Sequence, residues 1–121
     1  MTCDVEELSR TPVEQTGIAH RCEYLLRVPA SLEYFDGHFD GKPLLPAVVQ
    51  LAVVILPRVE WVWPDLGGLR SARKIKFRSP IAPDDSVRLE LIRRGQDVAF
   101  VLDRPGEVCA SGTLRFDEKR A

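Results

Sequence analysis

His38 stands in the run Phe35-Asp36-Gly37-His38-Phe39-Asp40-Gly41, with a carboxylate two residues to either side. An imidazole titrates near pH ~6.5, so it can take up or release a proton at neutral pH. In a glycine-bearing loop such a residue suits general acid–base chemistry, against the plainer use of a loop histidine that hydrogen-bonds locally. Asp40 could orient the imidazole, or could simply stabilise a turn; Asp36 and Glu33 are weaker candidates of the same kind. The second histidine, His20, falls in a strand and reads as structural or exposed. The three cysteines, Cys3, Cys22 and Cys109, have no metal-type spacing, so no metal site is expected. A disulfide framework is equally unexpected, which favours a reducing compartment.

The elements that must position His38 can be read from periodicity. Residues 1–16 are polar, contain Pro12 and lack a sustained period, and read as a loose lead-in. Ile18–Val28 roughly alternates, with Tyr24, Leu26 and Val28 on one parity, and suits a half-buried strand. A long loop, Ala30–Leu45, follows and carries His38. Pro46 occupies a position where a helix start tolerates proline. Val48, Leu51, Ala52, Ile55, Leu56 and Val59 then follow helical spacing, with only Gln50 interrupting the apolar run Val48–Leu56. Pro57 is expected to kink or end this helix. Trp61, Trp63 and Pro64 lead to a turn at Gly67-Gly68; the two tryptophans could line a tunnel, although packing is the commoner use.

Four strands should follow: Arg70–Arg78, a stretch starting at Val87, Val98–Asp103 and Val108–Phe116. The last two flank Arg104-Pro105-Gly106 as a hairpin. One buried helix among antiparallel strands is an α+β plan in which a curved sheet encloses the helix. The chain has 121 residues, 45% hydrophobic and 29% charged, which fits one globular domain, 1–121. A formal charge of -1 gives no global attraction to nucleic acid or membranes. The apolar stretch Leu44–Leu56 is too short to span a bilayer, and the acidic N-terminus is not a signal peptide, so a cytoplasmic protein is expected. Arg70, Arg73, Lys74, Lys76 and Arg78 form a local basic strip, either a docking surface for an acidic partner or an ordinary solvated strand.

The run from Phe35 through His38, Pro43 and Pro46 to Leu51 resembles the signature of the 3-hydroxyacyl-acyl-carrier-protein dehydratases of the FabA/FabZ type. There a Gly-His-Phe-Pro-Gly loop leads through a proline into a central helix. Lys74–Asp85 is similar to the family's strand and turn after that helix. Val48-Val49-Gln50-Leu51 and Cys109–Phe116 look like the aryl-polyene-type, ApeI-like branch. The likeness covers roughly residues 18–116.

The resemblance implies a hot-dog fold, usually a homodimer or dimer of dimers, with active sites at the dimer interface. It implies loss of water from a 3-hydroxyacyl thioester, carried on acyl carrier protein or coenzyme A, to give the 2-enoyl thioester, as in fatty acid biosynthesis, without a cofactor. On this reading His38 is the base and the backbone amide near Ala47 stabilises the enolate-like charge. Lys74, Lys76 and Arg78 would dock the carrier. The sequence departs from the family at two points: Asp40 replaces the loop proline, and Ala52 occupies the position, fourteen after the histidine, of the helix carboxylate. Asp40 could substitute for that acid. Otherwise the chain would be a non-catalytic acyl-binding subunit, or would pair with a complete homologue and lend His38 to a composite site. A hot-dog thioesterase is a third reading.

Overall fold

The computed structural model describes residues 4–32 and 44–119. Seven strands form one antiparallel sheet: β1 (Glu6–Arg10), β2 (Glu14–Thr16), β3 (Ala19–Arg27), β4 (Leu66–Phe77), β5 (Ser86–Arg94), β6 (Asp97–Arg104) and β7 (Glu107–Glu118). Their order is β1-β3-β5-β6-β7-β4, and β2 also pairs with β3. This is the expected α+β hot-dog arrangement, an antiparallel sheet with one central helix. Alternation sets the inner face. Cys22, Tyr24 and Leu26 of β3, Val87, Leu89 and Leu91 of β5, and Val98, Phe100 and Leu102 of β6 are buried. They pack with Val54, Ile55 and Val59 of the helix into one core.

Three local expectations change. The stretch read as a loose lead-in carries β1 and β2; their side chains are exposed, so pairing with β3, not hydrophobic patterning, makes them strands. Gly67 and Gly68 do not form a turn but lie inside β4. A Cβ on Gly67 would come within 2.7 Å of the Asp117 carbonyl oxygen, so the glycine permits close strand approach.

The helix also passes through Pro57. It runs as α1 (Ala47–Val49), a π-helical segment (Gln50–Ile55) and α2 (Leu56–Val62). A proline offers no amide and crowds the carbonyl four residues back, here that of Val53. Upstream the helix widens, with the Leu56 amide bonded to the Leu51 carbonyl, and α2 restarts with Pro57 in its first turn, where a missing amide is tolerated. The Arg58 side chain donates to the Val53 carbonyl at 2.9 Å. Trp63 is buried in the core, while Trp61 stays exposed beneath the Arg58 guanidinium.

Among the described residues β4 closes one edge of the sheet and pairs only with β7. Lys74 and Ile75 oppose the single residue Gly112 in a bulge, and Lys74 has φ 57°. Ile75 swings over Gly112, where a Cβ would meet its Cδ1 at 2.3 Å. Among the described residues no helix is long and apolar enough to cross a membrane.

Candidate functional site

His38 and Asp40 lie outside the described residues, as do Asp36 and Glu33. Backbone hydrogen bonds fix the chain on either side of them. Before the segment, the Val28 amide donates to the Asp85 carbonyl at 2.9 Å and the Asp84 amide to the Val28 carbonyl at 2.7 Å. After it, the Leu45 amide donates to the Ile81 carbonyl at 2.9 Å. Both flanks are therefore tied to the same β4–β5 connection. Asp84, in the left-handed region at φ 67°, also accepts from the Ala30 amide and from Arg27.

The helix begins directly after this anchor. Pro46 is the N-cap and supplies no side-chain cap. The amides of Val49 and Gln50 both turn to the Pro46 carbonyl, at 3.1 and 3.0 Å. The amides of Ala47 and Val48 precede them in the first turn and are the ones a helix start leaves without internal partners. Ala47 and Val48 are exposed, so this positive end of the helix can meet a ligand's partial negative charge. A hollow of about 290 Å³ opens here, lined by Leu44, Leu45, Pro46, Ala47 and Gln50 on the helix side and by Phe77, Arg78, Ser79 and Pro80 on the strand side. Ser79 donates to Glu107, and that bond first, then Arg104, holds the Glu107 carboxyl below its ordinary range.

Ala52 lies in the π segment and is exposed, as is Val48 one turn earlier, 71% accessible. The helix side that carries both is left uncovered by the described residues. Among the described residues the outer edge of β4 has no partner strand, and Leu69 and Phe77 of this strand are 41% and 42% exposed. Of the basic strip, Arg73 bonds Asp97 at 3.0 Å and Arg70 lies 3.6 Å from Asp117. Lys74, Lys76 and Arg78 are exposed and make no ion pair among the described residues. Arg78 is the member that also lines the hollow.

Other features lead away from chemistry. Burial pushes the Cys22 thiol up to about 11, so it is protonated at neutral pH. His20 sits in β3 opposite Arg93. A larger hollow, about 590 Å³, opens on the sheet face turned away from the helix. Its charged groups are already paired, Arg88 with Asp103 and Arg104 with Asp85 and Glu107. The smaller hollow at the helix start is the chemically better placed of the two. Among the described residues no three His, Cys, Asp or Glu side chains converge as a metal site would need.

A family model for the ApeI-like group, ApeI dehydratase, matches residues 14–113. The chain belongs to the ApeI-like dehydratase family. It is 30% identical to the 3-hydroxyacyl-[acyl-carrier-protein] dehydratase FabZ of Natranaerobius thermophilus, over 86% of this chain and 81% of the relative. It is 36% identical to FabZ of Alkaliphilus metalliredigens, over 74% and 68%. A crystal structure of an uncharacterised protein from Erwinia carotovora subsp. atroseptica superposes with a TM-score of 0.82 at 31% identity, covering 94% of this chain and 96% of that one. The dehydratase heterocomplex ApeI:P from Xenorhabdus doucetiae gives 0.80 at 23% identity, covering 93% and 97%. Within this ApeI-like frame, sequence reasoning missed two groups: Gln50, noticed only as a break in an apolar run, and Arg58, which no periodicity distinguishes from a solvated cation.

Proposed function

We propose that this chain is the base-bearing, thioester-binding half of a 3-hydroxyacyl thioester dehydratase whose acid comes from a second hot-dog subunit. The observation that carries the reading is the helix itself. Its start presents the first-turn amides of Ala47 and Val48 beside a hollow, while Ala52 faces outward on a side that the described residues leave uncovered. His38 takes the proton from C2, and the Ala47 amide steadies the charge that builds on the thioester carbonyl oxygen. The electron pair forms the C2=C3 bond, and the C3 hydroxyl leaves as water with a proton from the partner's acid. The free edge of β4 and the Val48–Ala52 face form the seat for that partner. ApeI:P, which is described as a heterocomplex, is a precedent in shape for such pairing. Lys74, Lys76 and Arg78, none of them paired among the described residues, dock an acidic carrier protein in the cytoplasm.

The test follows enoyl-thioester absorbance with 3-hydroxybutyryl-pantetheine. The chain alone should turn over slowly, and Ala52→Glu or Ala52→Asp should raise the rate by about 10² or more. His38→Ala should abolish that gain. Rapid turnover by the unaltered chain that survives His38→Ala would overturn the reading. Asp40→Asn separates a second case: if Asp40 replaces the missing acid, this variant alone silences the unpartnered chain. Release of free thiol in place of enoyl product would mark a thioesterase.

A further inference from the structure

We propose that the carboxamide oxygen of Gln50 accepts a hydrogen bond from the 3-hydroxyl of the bound acyl thioester and selects hydroxylated chains over saturated ones. The assignment rests on the reading of this chain as a thioester-binding dehydratase subunit. Gln50 is 4% exposed and lines the hollow at the helix start. Its Nε2 donates to the Leu45 carbonyl at 3.2 Å. A carbonyl can only accept, so the amide group is fixed in orientation and Oε1 must point elsewhere. That oxygen is buried and has no partner among the described residues. An unpartnered buried acceptor is destabilising, and that cost ends when a donor arrives.

The chemistry of the ligand chooses the donor. Ala47 and Gln50 are three residues apart, and side chains so spaced on a helix are neighbours, about 5–6 Å between Cβ atoms. A thioester whose carbonyl oxygen meets the Ala47 amide carries its C3 hydroxyl two carbons further along, within reach of Gln50. The hydroxyl donates its hydrogen to Oε1 and keeps its lone pairs for the acid that will protonate it. The 2-enoyl product has no hydroxyl and loses the bond, so Gln50 favours substrate over product.

Titration calorimetry on the turnover-blocked His38→Ala chain, with 3-hydroxybutyryl-pantetheine and with butyryl-pantetheine, tests this. The hydroxylated ligand should bind about fivefold more tightly, the range of one neutral hydrogen bond. Adding Gln50→Leu should bring the ratio to about one. Good binding of both ligands with a ratio of one before Gln50 is changed would overturn the assignment alone, and it needs no further variant. Equal weakening of both ligands by Gln50→Leu would give the acceptor to an amide of the pantetheine arm and overturn it as well. Binding of neither ligand would overturn the thioester reading and this assignment with it.

Discussion

Gln50, near the start of the central helix, and Arg58, near its end, are both almost wholly buried, 4% and 1% exposed, and each donates to a main-chain carbonyl. Gln50 reaches Leu45 at 3.2 Å and Arg58 reaches Val53 at 2.9 Å. Each also leaves one polar atom without a partner among the described residues, Oε1 of Gln50 and Nε of Arg58. The surroundings differ. Arg58 lies over Trp61 at 4.8 Å and its Nη2 meets Asp4 at 3.2 Å. The carbonyl it serves is the one that Pro57 strips of its usual amide. Gln50 faces a hollow, and the carbonyl it serves belongs to the chain entering the helix. One buried polar group closes a defect in the fold; the other keeps an acceptor without a partner among the described residues, in a side chain that lines a hollow.

Removing Arg58 should therefore have the largest effect. Arg58→Ala removes a donor to the Val53 carbonyl and empties the space over Trp61, and should cost about 3 kcal/mol of stability in urea denaturation. Little of this is the ion pair, because Asp4 is half exposed and such pairs contribute little. A loss below about 1 kcal/mol would remove Arg58 from the role assigned to it. The tie to the proline can be measured separately. Pro57→Ala restores an amide for the widened helix and should raise stability by about 1 kcal/mol. In that background Arg58→Ala should cost about 1 kcal/mol less than in the parent. Strict additivity would separate the guanidinium from the proline.

Gln50 should behave in the opposite way. Gln50→Leu loses one hydrogen bond but also discards an unpartnered acceptor, so stability should stay within about 1 kcal/mol of the parent. A large loss of stability would make Gln50 a second Arg58 and blur the distinction between the two ends.

How much of this was legible beforehand depends on the kind of signal each residue leaves. Strand β3 was readable because Tyr24, Leu26 and Val28 alternate with polar neighbours. The helix start was readable because Pro46 precedes an apolar run at helical spacing. The passage of the helix through Pro57 was not, because the remedy lies in a widened turn and a side-chain donor, and neither leaves a periodic trace. β1 and β2 escaped notice for a related reason: all their side chains are exposed, and strand pairing through the backbone is silent in the sequence. At the site, the position of Ala52 could be counted from His38, but its outward exposure needed the fold. Gln50 showed only as a polar residue in an apolar run; its fixed amide and spare oxygen depend on the Leu45 carbonyl, which comes near only when the chain turns into the helix.

The smallest expected effect concerns how the chain leaves the helix. Just past Val62 the exit is held by Asp65, which accepts from both Nη atoms of Arg93, at 2.9 and 2.8 Å, with the guanidinium 6.0 Å from the Trp63 ring. The hydrogen bond from Arg93 holds the Asp65 carboxyl below its ordinary 3.8. A carboxyl depressed in the folded chain stabilises it at pH values above the unfolded pKa, and that stability disappears as pH falls through the folded value. Asp65 is 64% exposed, so solvent screens the pair and the effect should be slight. Acidification from pH 5 to below 3.8 should accordingly lower the amide protection factors, each corrected for the intrinsic exchange rate at that pH, first around Trp63–Leu66, while the amides of Val49 and Gln50, bonded to Pro46 in a stretch with no carboxylate, stay protected until global unfolding. Arg93→Gln should abolish the pH dependence at the exit and leave the helix start unchanged. If both ends loosened together on acidification, the helix would open as one unit and the separation between a structural end and a binding end would fail.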